Sequence, residues 1–140
     1  MPPLSDEQFA RILEFRVALR RFGRFSEEQA AKLDMTAAQY QLLLAIRGHG
    51  GPPAPTIADV ARRLMIRHHS AVGLVDRTRD LGLVERRRDD DDHRLARLAL
   101  TPLGHEQVNA LALAHLKELR KLAEVLGALL EADADGIGDG

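Results

Sequence analysis

The sequence predicts a mainly helical fold with one small β-hairpin, and three observations carry the prediction. Apolar residues recur at helical spacing along most of the chain. The period changes to two at Leu83–Arg88 and Arg94–Leu100, with the acidic stretch Asp89–His93 between them. Finally, Val108, Ala112, His115, Leu119, Leu122, Leu126 and Leu129 follow one another in alternating steps of four and three, which is a heptad seam. The 140 residues suit one ordinary domain, here taken as 1–140.

Each element has a local reason. Ser5 caps a helix whose first turn holds Asp6 and Glu7, suited to the positive end of the dipole, with Gln8 as the capping-box partner. Phe9, Ile12, Leu13, Val17 and the run Leu19–Phe22 give that helix its apolar spacing. Gly23 breaks the pattern, and Ser26-Glu27-Glu28 reads as a fresh start running to Leu33. Thr36 begins the next helix, with Tyr40, Leu43, Leu44 and Ile46 inward and Gly48 at its end; Gly50–Pro55 is a loop.

Thr56 caps a short helix from Ile57 to about Met65, with Ile57, Val60, Ala61 and Leu64 inward. A further helix is predicted from about His69 to Leu81, with Val72, Leu74 and Val75 on its inner face and Gly82 at its end. After the hairpin, Thr101-Pro102 restarts a helix with proline at its first position, predicted to reach Glu131. Leu116, Ala123 and Leu130 form a second apolar row beside the seam, more than a small domain covers alone. The stretch 132–140, rich in Gly and Asp, is expected to fray.

Composition narrows the function. Hydrophobic residues are 45% and charged residues 29% of the chain, which fits neither a disordered tail nor a membrane protein. No apolar run approaches the ~18 residues needed to cross a bilayer. Residues 1–6 lack the order of a secretory signal, so a cytoplasmic location is expected. The absence of cysteine excludes disulfides, thiolate catalysis and cysteine-zinc sites. With aromatics at 4% and no tryptophan, stacking platforms for single-stranded nucleic acid are not expected either.

The net charge of −1 is hardly that of a nucleic-acid binder, yet the basic residues are distinctive. Seventeen are arginine, and between Arg62 and Arg88 eight of these face only Asp76, Asp80 and Glu85. Local charge sets the field at a binding face, and the forked guanidinium suits phosphate and base edges. Helix, short helix, helix and hairpin is the order of a winged helix-turn-helix, spanning 36–100. Long helices flank it at 5–33 and 101–131, natural material for a dimer, since half-sites one duplex turn apart need two recognition helices.

Three segments resemble the MarR family of bacterial transcription regulators. Thr56–Leu64 is similar to the first helix of the family's motif. Ser70–Arg77 followed by Asp80–Arg86 resembles its recognition helix and the GLVxR entry into the wing. Asp92-His93-Arg94 and Leu98–Gly104 match the wing's D-x-R and the closing LTxxG. The resemblance implies a homodimer with intertwined terminal helices, a recognition helix in the major groove and a wing arginine in a neighbouring minor groove. It implies too a repressor that releases DNA when a small phenolic or lipophilic effector binds. The wing departs from the family in its run of four carboxylates, Asp89–Asp92.

Candidate contacts to double-stranded DNA follow. Ser70 and Ala71 occupy the first turn of the recognition helix, where a hydroxyl reaches a phosphate or base edge and a small residue permits close approach to a thymine methyl; the alternative is that Ser70 merely caps the helix. His68 and His69 precede them as phosphate or base partners; adjacent histidines on a helix point about 100° apart, which suits no metal. Arg94 at the wing tip is the strongest single candidate, with Asp92 placed to hold its guanidinium by a forked pair. Arg62, Arg63, Arg67, Arg77 and Arg79 are phosphate candidates, with Arg77 alternatively pairing with Asp76 or Asp80. Arg86, Arg87 and Arg88 are expected to divide between phosphates and the wing's own acids.

The four acids lack the spaced order of a calcium loop, and neither metal nor cofactor is expected. His115 on the seam reads as a satisfied core or interface histidine, and Phe22, Phe25 and Tyr40 as core rather than effector-pocket walls. No catalytic constellation appears, so an enzyme is not expected. The function this supports is a dimeric regulator that binds a palindromic duplex; the alternative is a helical-dimer interaction module without DNA binding.

Overall fold

Three capping boxes start helices in this chain. Ser5, Thr36 and Thr56 each accept a hydrogen bond from the backbone N–H three residues on, and the side chains of Gln8, Gln39 and Asp59 each accept one in return from the capping residue's own N–H. The computed structural model describes residues 2–137, with side chains through residue 131. Its elements are α1 (Asp6–Ala31), α2 (Ala37–Arg47), α3 (Ile57–Leu64), α4 (His68–Asp80), β1 (Val84–Arg88), β2 (Ala96–Leu100) and α5 (Pro102–Ile137).

The order is the predicted one, with local differences. α1 runs without a break through Gly23, because a single glycine costs a helix only about 1 kcal/mol and its neighbours are good helix formers. α5 continues to Ile137, so residues 132–137, expected to fray, are helical; 138–140 lie outside the described residues. The strands start later than predicted, at Val84 and Ala96, which leaves Arg94 in the wing loop rather than in a strand.

The chain divides into two compact units, one formed by the described residues up to Gln29 and from Leu113 onward, the other by Ala30–Ala112. In the second, Leu42, Leu43, Val60, Val75, Leu83 and Leu98 are fully buried, and Tyr40, Ile57 and Val108 join the same core. The buried face of α2 is Gln39, Tyr40, Leu42, Leu43 and Ile46; Leu44, expected inward, is exposed because it lies one step past Tyr40 at the edge of that face. β1 and β2 pair antiparallel, Val84 with Leu100 and Arg88 with Ala96. A bridge between Thr56 and Arg97, and a bond from the Leu98 N–H to the Pro55 carbonyl (2.8 Å), add the segment ahead of α3 to the edge of the hairpin.

The hairpin is closed by the LTxxG segment. Leu100 is buried, the Thr101 hydroxyl donates to the Gly82 carbonyl (2.6 Å) and accepts from the Gly104 N–H (3.0 Å), and Gly104 lies against the Leu83 carbonyl. Gly82, at φ +74°, supplies the left-handed turn between α4 and β1.

In the first unit, His115 is buried and bonded to the Ser26 hydroxyl at 2.9 Å, with Phe22 and Phe25 edge-on to its ring at 6.0 and 5.3 Å. It is a satisfied histidine. Phe22 and Phe25 pack on it, while Tyr40 sits in the core of the second unit. The second apolar row of α5 is open: Leu116 is 48% and Leu130 71% exposed.

Gly104→Ala tests the closure. A Cβ at that position collides with the Leu83 carbonyl, which is backbone and cannot swing aside, so the substitution is expected to lower unfolding free energy by about 1–3 kcal/mol in chemical denaturation.

Candidate nucleic-acid interface

Burial divides α4 into two faces. Ala71, Leu74, Val75 and Thr78 recur three or four residues apart and are buried, with the Thr78 hydroxyl bonded back to the Leu74 carbonyl at 2.7 Å. The opposite face and the first turn are open. Arg67 is the N-cap and makes no side-chain capping bond, and His68, His69 and Ser70 follow it, all exposed. Ser70 is therefore not the cap. Its hydroxyl and the free N–H groups of the first turn stand together at the positive end of the helix, an arrangement suited to a phosphate. Ala71 is corrected by the structure: it is fully buried in the core and meets no groove, because it belongs to the inward stripe and not to the exposed turn beside it.

The other candidates lie on the surface with different partners. Arg62 pairs with Asp59, the capping-box partner of Thr56 in α3. Asp76 is shared by Arg86 at 3.3 Å and Arg79 at 3.8 Å, so the pairing considered for Arg77 goes to these two instead. Arg77 lies over Gly73, where a Cβ would stand 3.1 Å from its guanidinium. Arg87 takes Glu85 (2.8 Å), and Arg63 and Arg88 are exposed. These are open ion pairs, each worth at most about 1 kcal/mol, which leaves the guanidinium groups free to exchange a carboxylate for a phosphate.

At the wing, Arg79, Arg86, Arg87, Arg88, His93 and Arg94 line one cleft of about 300 Å³. Asp92 accepts the Arg94 Nε (3.0 Å) on one oxygen and the Nη2 (3.2 Å) on the other, the forked pair expected from the sequence, and it also accepts the Arg94 N–H at 3.1 Å. Arg94 itself is 90% exposed. The hydrogen bonds from the Arg94 side chain and N–H hold the Asp92 carboxyl below its ordinary value.

The first of the four acids is engaged differently. One Asp89 oxygen accepts the N–H groups of Asp91 and Asp92, both at 2.9 Å, and the other accepts the Arg97 Nε at 2.7 Å. Arg97 also donates to the Ala54 carbonyl at 2.9 Å. No reading of the sequence singled out Arg97, because its partners lie across the hairpin and in the loop ahead of α3. Asp90 and Asp91 point to solvent. Among the described residues no cluster of three or more His, Asp or Glu could hold a metal, and no helix is long and apolar enough to cross a membrane.

Residues 33–95 match the sequence model of the MarR family. No curated relative matches the chain in sequence. Solved structures do resemble it. AbsC, a MarR family transcriptional regulator from Streptomyces coelicolor, is 20% identical with a TM-score of 0.76 over 96% of this chain and 93% of its own. S. aureus MepR in its DNA complex is 19% identical with a TM-score of 0.73, covering 89% of this chain and 93% of that one. Apo MarR from E. coli is 22% identical with a TM-score of 0.68, covering 99% and 98%.

The bond from Arg97, followed by those from the Asp92 and Asp91 N–H groups, holds the Asp89 carboxyl at about 2, below its ordinary 3.8. The depressed value means that the Arg97 interaction stabilises the fold above pH 3.8 and is lost as pH falls from there through about 2. In a carbon-13 titration the Asp89 carboxyl is expected to have its midpoint near 2, and Arg97→Met to move it up toward 3.8. A midpoint unchanged by that substitution would show that Arg97 does not set it.

Across residues 33–95 this chain is similar to the MarR family, and its winged helix-turn-helix fold is the one solved for regulators of that family.

Proposed function

We propose that the chain is a homodimeric, sequence-specific transcription regulator that binds palindromic double-stranded DNA. The observation that carries this reading is the wing cleft, where five arginines and His93 converge on the same surface unit as the open first turn of α4. Four of the five arginines hold acids in open pairs, Arg79 and Arg86 with Asp76, Arg87 with Glu85 and Arg94 with Asp92, and pairs of that kind can exchange a carboxylate for the phosphates of a polyanion. α4 and its N-cap supply Arg67, His68, His69, Ser70 and Arg77 for a major groove, and the wing loop supplies Arg94 for the adjacent minor groove. The complex of S. aureus MepR shows that a protein of this fold meets DNA.

Dimerisation is supported by the apolar residues left open in the first unit. Ile12, Leu13, Leu116 and Leu130 all exceed 45% exposure, and large apolar side chains left open in this way are what a second copy would cover. Two copies also supply the two recognition helices that a palindrome requires. Repression, release by a small phenolic or lipophilic effector and a cytoplasmic location complete the reading, and their support is the family resemblance of residues 33–95. The interaction-module alternative loses ground with the acidic wing that favoured it, since Asp89 and Asp92 are each engaged by an arginine.

Fluorescence anisotropy on palindromic duplexes tests the reading. The logarithm of the affinity is expected to fall with the logarithm of salt at a slope of about −4 or steeper, since each neutralised phosphate contributes about −0.9. Arg94→Ala is expected to weaken binding about tenfold with the circular dichroism unchanged. Unchanged affinity would remove the wing from the mechanism. Size-exclusion chromatography with light scattering is expected to give twice 15.5 kDa at micromolar concentration, and a monomer there would contradict the dimer.

A further inference from the structure

Arg97 belongs to no motif in the sequence, and its position on β2 is a poor one for a cation. Its cross-strand partner is Arg87, and like charges directly opposite destabilise a hairpin. A β-branched apolar residue would make the better strand. The structure instead gives Arg97 two bonds that leave the hairpin ladder, one to Asp89 in the wing loop and one to the Ala54 carbonyl ahead of α3. From there an unbroken series of hydrogen bonds leads to the wing tip. Asp89 holds the N–H groups of Asp91 and Asp92, and Asp92 holds the backbone and guanidinium of Arg94.

We propose that Arg97 is a positioning residue: by clamping the wing loop through Asp89 to segment 54–56, it holds Asp92 and the Arg94 guanidinium in the geometry with which they meet duplex DNA. The inference rests on the DNA-binding reading. The two ion pairs in the series differ in strength. The Arg97 and Asp89 side chains are 22% and 17% exposed, so water and salt screen them little. Those of Arg94 and Asp92 are 90% and 35% exposed, and an open pair of that kind holds a side chain only weakly by itself. The orientation of Arg94 is therefore inherited from the sheltered pair. The clamp also engages one carboxylate that would otherwise face the phosphates.

The test uses the full chain with Arg97→Met, which keeps the length of the side chain and removes the guanidinium, and reads two quantities. In the free protein, hydrogen exchange at the Asp91 and Asp92 amides is expected to quicken about tenfold. With a palindromic duplex, affinity is expected to fall about tenfold, and Arg94→Ala in the Arg97→Met background to cost less than about threefold more, because residues in one network are not additive. Arg67→Ala, at the other end of the interface, is expected to cost the same in both backgrounds.

Asp89→Asn keeps the shape of the acid and leaves Arg97 in place; it is expected to give the same pattern, and it serves as the test if Arg97→Met fails to fold by circular dichroism. Amide protection left intact, or an undiminished cost of Arg94→Ala in either background, overturns the proposal. A duplex that the unsubstituted protein fails to bind overturns the DNA reading instead, and the amide exchange then decides the clamp by itself.

Discussion

The burial of one face of α4 is the constraint on which the rest of the interface depends. Ala71, Leu74, Val75 and Thr78 are locked into the core formed by α2, α3 and the hairpin, so the helix can neither roll nor slide without opening that core. Its outer residues are fixed in direction as a consequence: the side chains at 67–70 and at Arg77 project from a helix held on its opposite side. The absence of a side-chain cap at Arg67 fits this division. α1, α2 and α3 each spend a hydroxyl and a carboxamide or carboxylate to satisfy their first N–H groups, whereas α4 leaves its own to solvent.

The wing is held by a second set of close contacts at its base. Thr101 grips the Gly82 carbonyl while capping α5, and Gly104 allows the first turn of α5 to lie on Leu83. The LTxxG segment is thus a device of packing. It joins the end of β2 to the start of β1 and so fixes where the hairpin leaves the core. The tip, some distance along the hairpin, needs its own support, and that comes from Arg97 and the loop at Ala54 and Pro55.

Much of this architecture was legible because its causes are local. The capping residues Ser5, Thr36 and Thr56, the proline at the start of α5 and the change of period at the hairpin each act within a few residues of sequence. The Asp92–Arg94 fork was legible for the same reason, since its partners are two residues apart. Errors arose where a choice of face was needed. Leu42, Leu43 and Leu44 are equally apolar, and only the spacing from Gln39 to Ile46 shows that Leu44 faces out. Ala71 was assigned to the exposed turn, although its spacing to Leu74, Val75 and Thr78 already places it on the inner stripe. Arg97 had no local signal at all: Asp89 is eight residues away across a hairpin, and Ala54 is 43 residues away.

A net charge of −1 and a wing that opens with four carboxylates argue against a polyanion as partner, and the distribution of charge resolves the conflict. At physiological salt an exposed charge is felt over ~8 Å, so the local balance of charge, rather than the total, sets the field at the wing. Within the wing, Asp89 is occupied by Arg97 and by two N–H groups, and Asp92 by Arg94. Both carboxyls are held below their ordinary values, which favours their charged, bonded forms. Of the four acids of the run, only Asp90 and Asp91 stand open to solvent without an arginine, while Arg79, Arg86 and Arg87 of the cleft hold Asp76 and Glu85 in open pairs. The acidic run therefore acts mainly as the scaffold of the wing loop. Its first and last members, still charged, hold N–H groups of the loop, and in the reading proposed above that fixed backbone aims the arginine at the tip.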